Sequence, residues 1–105
     1  MTAGTPYFEV HLSDGSDPLT VAATGELDAA SATTLAEALT GASDQAGSVV
    51  LDLAGVTFID SSGLRVIASE HVAATEAGRS LRIVGASERV RRIFEMTGLE
   101  TLIEP

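Results

Sequence analysis

The chain has 105 residues and a net charge of −9. It contains no cysteine and no lysine, and is 45% hydrophobic but only 20% charged. That composition describes one α/β-sized globular domain and excludes disulfides, thiolate nucleophiles and zinc–thiolate centres. It also argues against nucleic acid as a partner, because phosphate binding needs clustered positive charge.

An anionic membrane surface would repel the chain overall, and no apolar run approaches the roughly 20 residues of a membrane span. No basic stretch followed by an apolar one marks a secretory signal at the start. The expectation is a cytoplasmic domain with a protein partner and no direct membrane insertion. Only Tyr7, Phe8, Phe58 and Phe94 are aromatic, so the core must come from Val, Leu, Ile and Ala. Five of the six arginines (79, 82, 89, 91 and 92) lie in the last third, whereas the first half is almost purely acidic. Such a surface can orient a partner.

In chain order, residues 1–6 read as a flexible start and 7–103 as a single domain. Residues 7–12 have strand-like spacing, and Asp14-Gly15-Ser16-Asp17-Pro18 is a turn cluster. Residues 19–24 form a second strand, antiparallel to the first. Gly25-Glu26 breaks it, and Asp28 is an N-cap candidate for a helix over 29–42, with Leu35 and Leu39 on one face. The apolar run 48–53 suits a strand covered on both faces or lying mid-sheet. A second helix is expected over 62–77, with Leu64, Ile67, Ala68 and His71 on one stripe and Gly78 as its stop. A strand over 80–84 follows, then a helix over 88–97 capped by Ser87, with Val90, Ile93 and Phe94 inward. Residues 101–103 complete the order as a short last strand. The fold class is α/β: an antiparallel N-terminal hairpin joined to parallel strands in one mixed sheet, packed with helices.

Phe58-Ile59-Asp60-Ser61-Ser62-Gly63-Leu64 places an acid, two hydroxyls and a glycine where a strand gives way to a helix. Ser61 and Ser62 are expected to cap that helix, and Gly63 to leave the corner open to a partner's backbone. Phosphate on such a serine would add charge at a helix N-terminus, which tolerates it, so binding could change without unfolding. Enzymatic readings fare poorly. No Gly-x-Ser-x-Gly elbow is present. His71 would stand about 14 Å up the helix from Ser61 at 1.5 Å per residue, and His11 lies in an N-terminal strand. A phosphate-cradling loop would need a lysine. Glu26, Asp28 and Asp60 could together hold a hard cation, but capping is the commoner use of Asp28 and Asp60. No cofactor is expected.

Three segments carry a resemblance. Thr24-Gly25-Glu26-Leu27-Asp28, the run from Leu51 to Leu64, and Arg91-Arg92-Ile93-Phe94-Glu95-Met96-Thr97-Gly98-Leu99 resemble the STAS domain. More narrowly, they are similar to the bacterial anti-sigma factor antagonists. The resemblance implies a binding protein whose unphosphorylated form engages an anti-sigma factor that is also a serine kinase, freeing a sigma factor. It implies Ser61 as phosphoacceptor and Asp60, Asp28, Ser62, Gly63 and Leu64 as the docking rim. A PP2C-like phosphatase would reset the switch. The same fold serves other roles, and the alternative is a subunit of a transporter ATPase or of a stress-signalling assembly. The family usually continues into a C-terminal helix, whereas this sequence stops at Pro105. Either the helix is absent, the sequence is cut short or another chain covers the gap; a real gap would leave an apolar patch on the sheet that favours a homodimer or a different partner mode.

Overall fold

Alternating side chains build the sheet. The computed structural model describes residues 2–5, 7–13 and 17–103. In it, five strands lie side by side in chain order: β1 (Thr2–Thr5), β2 (Phe8–Leu12), β3 (Leu19–Leu27), β4 (Ser48–Ile59) and β5 (Ser80–Val84). The pairs β1–β2 and β2–β3 are antiparallel, and β3–β4 and β4–β5 are parallel. Phe8 and Val10, Leu19 and Val21, Leu51 and Leu53, and Leu81 and Ile83 are all buried in one core, as the two-residue period of a pleated strand requires.

Three helices supply the rest of that core. α1 (Ala29–Gln45) buries Leu35, Leu39 and Ala42, and α2 (Ser61–Glu76) buries Leu64, Ile67 and Ala74. α3 (Glu88–Met96) buries Val90 and Phe94. These spacings of three, four and seven residues put each set on one helix face. Ser87 caps α3 by accepting from the Val90 N–H at 3.2 Å. α2 and α3 end in the same way, at Gly78 (φ +73°) and Gly98 (φ +77°). After each glycine the chain turns back: the Arg79 N–H donates to the Ala74 carbonyl and the Leu99 N–H to the Phe94 carbonyl, both at 2.8 Å. That bond closes a helix with a residue in the left-handed region. α1 packs against α2, and Thr40 Oγ1 donates to Glu70 Oε1 across the contact at 3.1 Å.

The structure departs from the sequence reading at four places. Residues 2–5, expected to be flexible, form edge strand β1, paired from Thr2–His11 to Thr5–Phe8. Its backbone bonds carry no hydrophobic periodicity that a sequence could display. Gly25 does not end β3, which continues to Leu27 through register shifts at Ala22/Thr24 and Gly25/Glu26. Gly25 has φ +103°, and its missing Cβ lets the Tyr7 carbonyl approach, so it is a bulge inside the strand. β4 runs on past Leu53 to Ile59, and its burial alternates over 48–53 rather than being complete on both faces. It is nonetheless central, between β3 and β5. Residues 101–103 are not a full strand: Glu100–Leu102 is a 3-10 turn, and Ile103 makes one parallel bridge to Ile83. Part of the turn cluster, residues 14–16, lies outside the described residues.

Candidate functional site

Parallel strands β3 and β4 finish level with one another, Leu27 opposite Ile59. The Asp60 N–H donates to the Leu27 carbonyl at 3.1 Å. Each strand is followed at once by an aspartate and a helix, so α1 and α2 begin side by side at one rim of the sheet. Asp28 and Asp60 are both half-buried there.

Asp28 Oδ1 accepts from the Ala30 and Ser31 N–H groups at 3.0 and 3.1 Å. Ser31 Oγ in turn accepts from the Asp28 N–H at 2.9 Å and donates to the Glu26 carbonyl at 2.8 Å. This reciprocal capping box welds the end of β3 to α1. Ser31 is only 3% exposed, and its polar atom is fully engaged. It did not stand out in the sequence, although its place three residues after Asp28 was the signal that could have found it.

Asp60 caps α2 without a reciprocal bond, since Gly63 three residues on has no side chain to return one. Its Oδ1 accepts from the Ser62 N–H at 2.9 Å and the Gly63 N–H at 3.3 Å. The cap is therefore Asp60, and Ser61 and Ser62, which the sequence reading expected to cap the helix, do not. Asp60 has the extended backbone of an N-cap (φ −121°, ψ −172°), which leaves Ser61 as the first residue inside the helix. Ser61 is exposed, Ser62 is half-buried, and among the described residues Ser61 Oγ has no hydrogen-bond partner.

Gly63 and Leu64 turn inward. Leu64 is 5% exposed and part of the core. A Cβ on Gly63 would meet Leu27 Cγ at 2.5 Å and Ile59 Cγ1 at 3.1 Å. The glycine is there so that α2 can sit on the ends of β3 and β4, and it opens no surface to a partner. Of the six rim residues named from the sequence, Asp28, Asp60, Ser61 and Ser62 stay at the surface of the corner, and Gly63 and Leu64 support it from below. Phe58, 46% exposed two residues before Asp60, and exposed Arg65, one turn into α2, belong to the same surface. Phe58 opened the stretch read from the sequence but was given no role, and Arg65 was not named, since a helical arginine carries no signal by itself. Among the described residues, no group of three or more His, Asp or Glu is placed to hold a metal ion. The carboxylates of Asp28 and Asp60 are committed to their caps.

With this geometry in place, likeness to known proteins becomes specific. Residues 7–105 match the sequence profile described as STAS domain. The chain belongs to the STAS domain family. It is 32% identical over 95 residues to the anti-sigma-B factor antagonist of Bacillus subtilis, covering 90% of this chain and 87% of that one. An anti-sigma factor antagonist from Mycobacterium paratuberculosis superposes with a TM-score of 0.77 at 26% identity, covering 98% of this STAS chain and 91% of the other. The anti-sigma factor antagonist SpoIIAA shares the fold in its unphosphorylated form (TM-score 0.77, 17% identity, 90% and 85% covered). It does so in its phosphorylated form from Bacillus as well (TM-score 0.71, 16% identity, 90% and 88% covered). The chain is thus a regulatory STAS domain similar to anti-sigma factor antagonists. No helix among its described residues is long and apolar enough to cross a membrane.

Proposed function

We propose that this STAS domain is a cytoplasmic anti-sigma factor antagonist switched by phosphate on Ser61. The unphosphorylated form binds an anti-sigma factor that is also a serine kinase, and so releases a sigma factor. The kinase transfers the terminal phosphoryl group of a nucleoside triphosphate to Ser61 Oγ: the Oγ–P bond forms, the diphosphate leaves, and the hydroxyl proton is lost. A PP2C-like phosphatase hydrolyses the ester and restores the binding form. The observation that carries this reading is the exposed, unpartnered hydroxyl of Ser61 beside a rigid cap. The names of the relatives and the occurrence of SpoIIAA in both phosphorylation states support it.

The physics of the corner suits a switch that leaves the fold alone. Asp60 already accepts from the Ser62 and Gly63 N–H groups, so a phosphate on Ser61 need not displace any bond of the cap. It adds about −1.5 to −2 charges to a rim that already carries Glu26, Asp28 and Asp60. A unit charge about 4 Å from a partner carboxylate costs up to about 4 kcal/mol at a protein surface, so an acidic or apolar partner surface would be rejected.

The test has two parts. Mass spectrometry of the protein from its native cells, in growth and under stress, should find phosphate on Ser61 that changes with condition. The kinase should bind the Ser61→Ala protein as well as wild type, and the genuinely phosphorylated protein at least roughly tenfold more weakly, about 1.4 kcal/mol. Equal affinity for both forms would sink the proposal. An absence of phosphate in every condition would reduce the corner to a static docking surface, such as a transporter subunit would present.

A further inference from the structure

Five arginines crowd residues 79–92, and the sixth, Arg65, stands alone in the acidic part of the chain. It lies on α2 four residues after Ser61, and both residues are exposed. Residues four apart on a helix are surface neighbours, with Cβ atoms about 5–6 Å apart. Arg79 and Arg92 have acidic partners, Asp44 at 4.0 Å and Glu88 at 3.3 Å. Arg65 makes no ion pair among the described residues. The same rim carries Asp60 at the cap of α2, with Glu26 and Asp28 at the end of β3, and all of these are acidic. The helix N–H groups of Ser62 and Gly63 are taken by Asp60 Oδ1. A phosphate on Ser61 therefore has a cation one turn away, on its own helix and in the favourable order, acid before base.

We propose that Arg65 clamps the phosphate of phosphorylated Ser61 against α2 and so acts as the positioning residue of the switch. This rests on the reading of Ser61 given above. A guanidinium presents a planar fork of donors matched to phosphate oxygens. Closing that fork on the phosphate would do two things at once. It would hold the ester in one orientation, and it would withdraw the Arg65 charge from a rim that carries Glu26, Asp28 and Asp60.

The experiment needs no kinase. Phosphoserine is installed at position 61 of the full chain during synthesis, in wild type, Arg65→Gln and Arg65→Lys backgrounds. The second ionisation of the phosphate is then followed by phosphorus NMR. The clamp favours the dianion, so the wild-type midpoint should lie below that of Arg65→Gln by about 0.15–0.4 pH unit, the range of helical charge pairs. Arg65→Lys should fall between them, and the difference should shrink in 1 M salt. The Arg65 Nε–H resonance should also move when phosphate is present. Equal midpoints in wild type and Arg65→Gln would overturn the clamp and leave Ser61 as a phosphoacceptor untouched. If Ser61 is never phosphorylated in cells, the proposed function falls, but this titration is unaffected.

Discussion

Gly63→Ala sets two local effects against each other. On propensity alone the change should stabilise α2, since alanine is favoured over glycine inside a helix by about 0.8–1 kcal/mol, and by less in the first turn. Gly63 has no positive φ, so the backbone itself accepts alanine. The new methyl, however, would sit 2.5 Å from Leu27 Cγ, 2.9 Å from Leu27 Cδ2 and 3.1 Å from Ile59 Cγ1. Leu27 is 0% exposed and Ile59 2%, and the closest atom is the branch carbon of Leu27, which cannot swing away as a chain end could. Overpacking of this kind costs about 1–3 kcal/mol. The net expectation is a loss of roughly 1 kcal/mol, which lowers Tm by about 4–8 °C for a domain near this size. Urea and thermal unfolding followed by circular dichroism measure it. In a Leu27→Ala background the penalty should shrink, because both crowding carbons, Cγ and Cδ2, are gone. A Gly63→Ala protein more stable than wild type, or an unchanged penalty with Leu27→Ala, would refute the packing argument. Gly63 would then be free for the open, partner-facing role that the sequence suggested.

Further outcomes follow from the caps and the core. Asp60→Ala removes the acceptor for two N–H groups and should cost about 1 kcal/mol. Asp60→Asn keeps an acceptor and should stay within a few tenths, as two unfolding curves would reveal. Ser61→Ala touches nothing in the fold, so its stability should lie within about 0.5 kcal/mol of wild type; a larger loss would mean that the hydroxyl has a structural partner. Phe94→Ala empties a fully buried site and should cost about 3–5 kcal/mol, a large share of the roughly 5–15 kcal/mol typical of a domain. Its denaturation midpoint should fall accordingly.

Much of this protein was legible in the chain because its signals are local. Asp28, Ser87, Gly78 and Gly98 start and stop helices through bonds to backbone only a few residues away, so their identities announce the boundaries. Val49, Leu51 and Leu53 declare a central strand by apolarity alone. The proposed phosphoacceptor also came from one segment, Asp60-Ser61-Ser62-Gly63, through its resemblance to the STAS domain. What the sequence could not display were backbone pairing and the contacts made between segments distant along the chain. β1 exists through backbone pairing with β2, and backbone bonds leave no trace in side-chain identity. Gly25 reads as a strand breaker until the Tyr7 carbonyl lies against it. Gly63 and Leu64 read as part of an open surface until Leu27 and Ile59, brought level by the parallel register of β3 and β4, pack against the start of α2. The sequence by itself determined where the elements begin and which hydroxyl stands at the corner. Only tertiary packing decided which neighbours of that hydroxyl face solvent and which are spent on the core, because burial depends on side chains more than thirty positions apart.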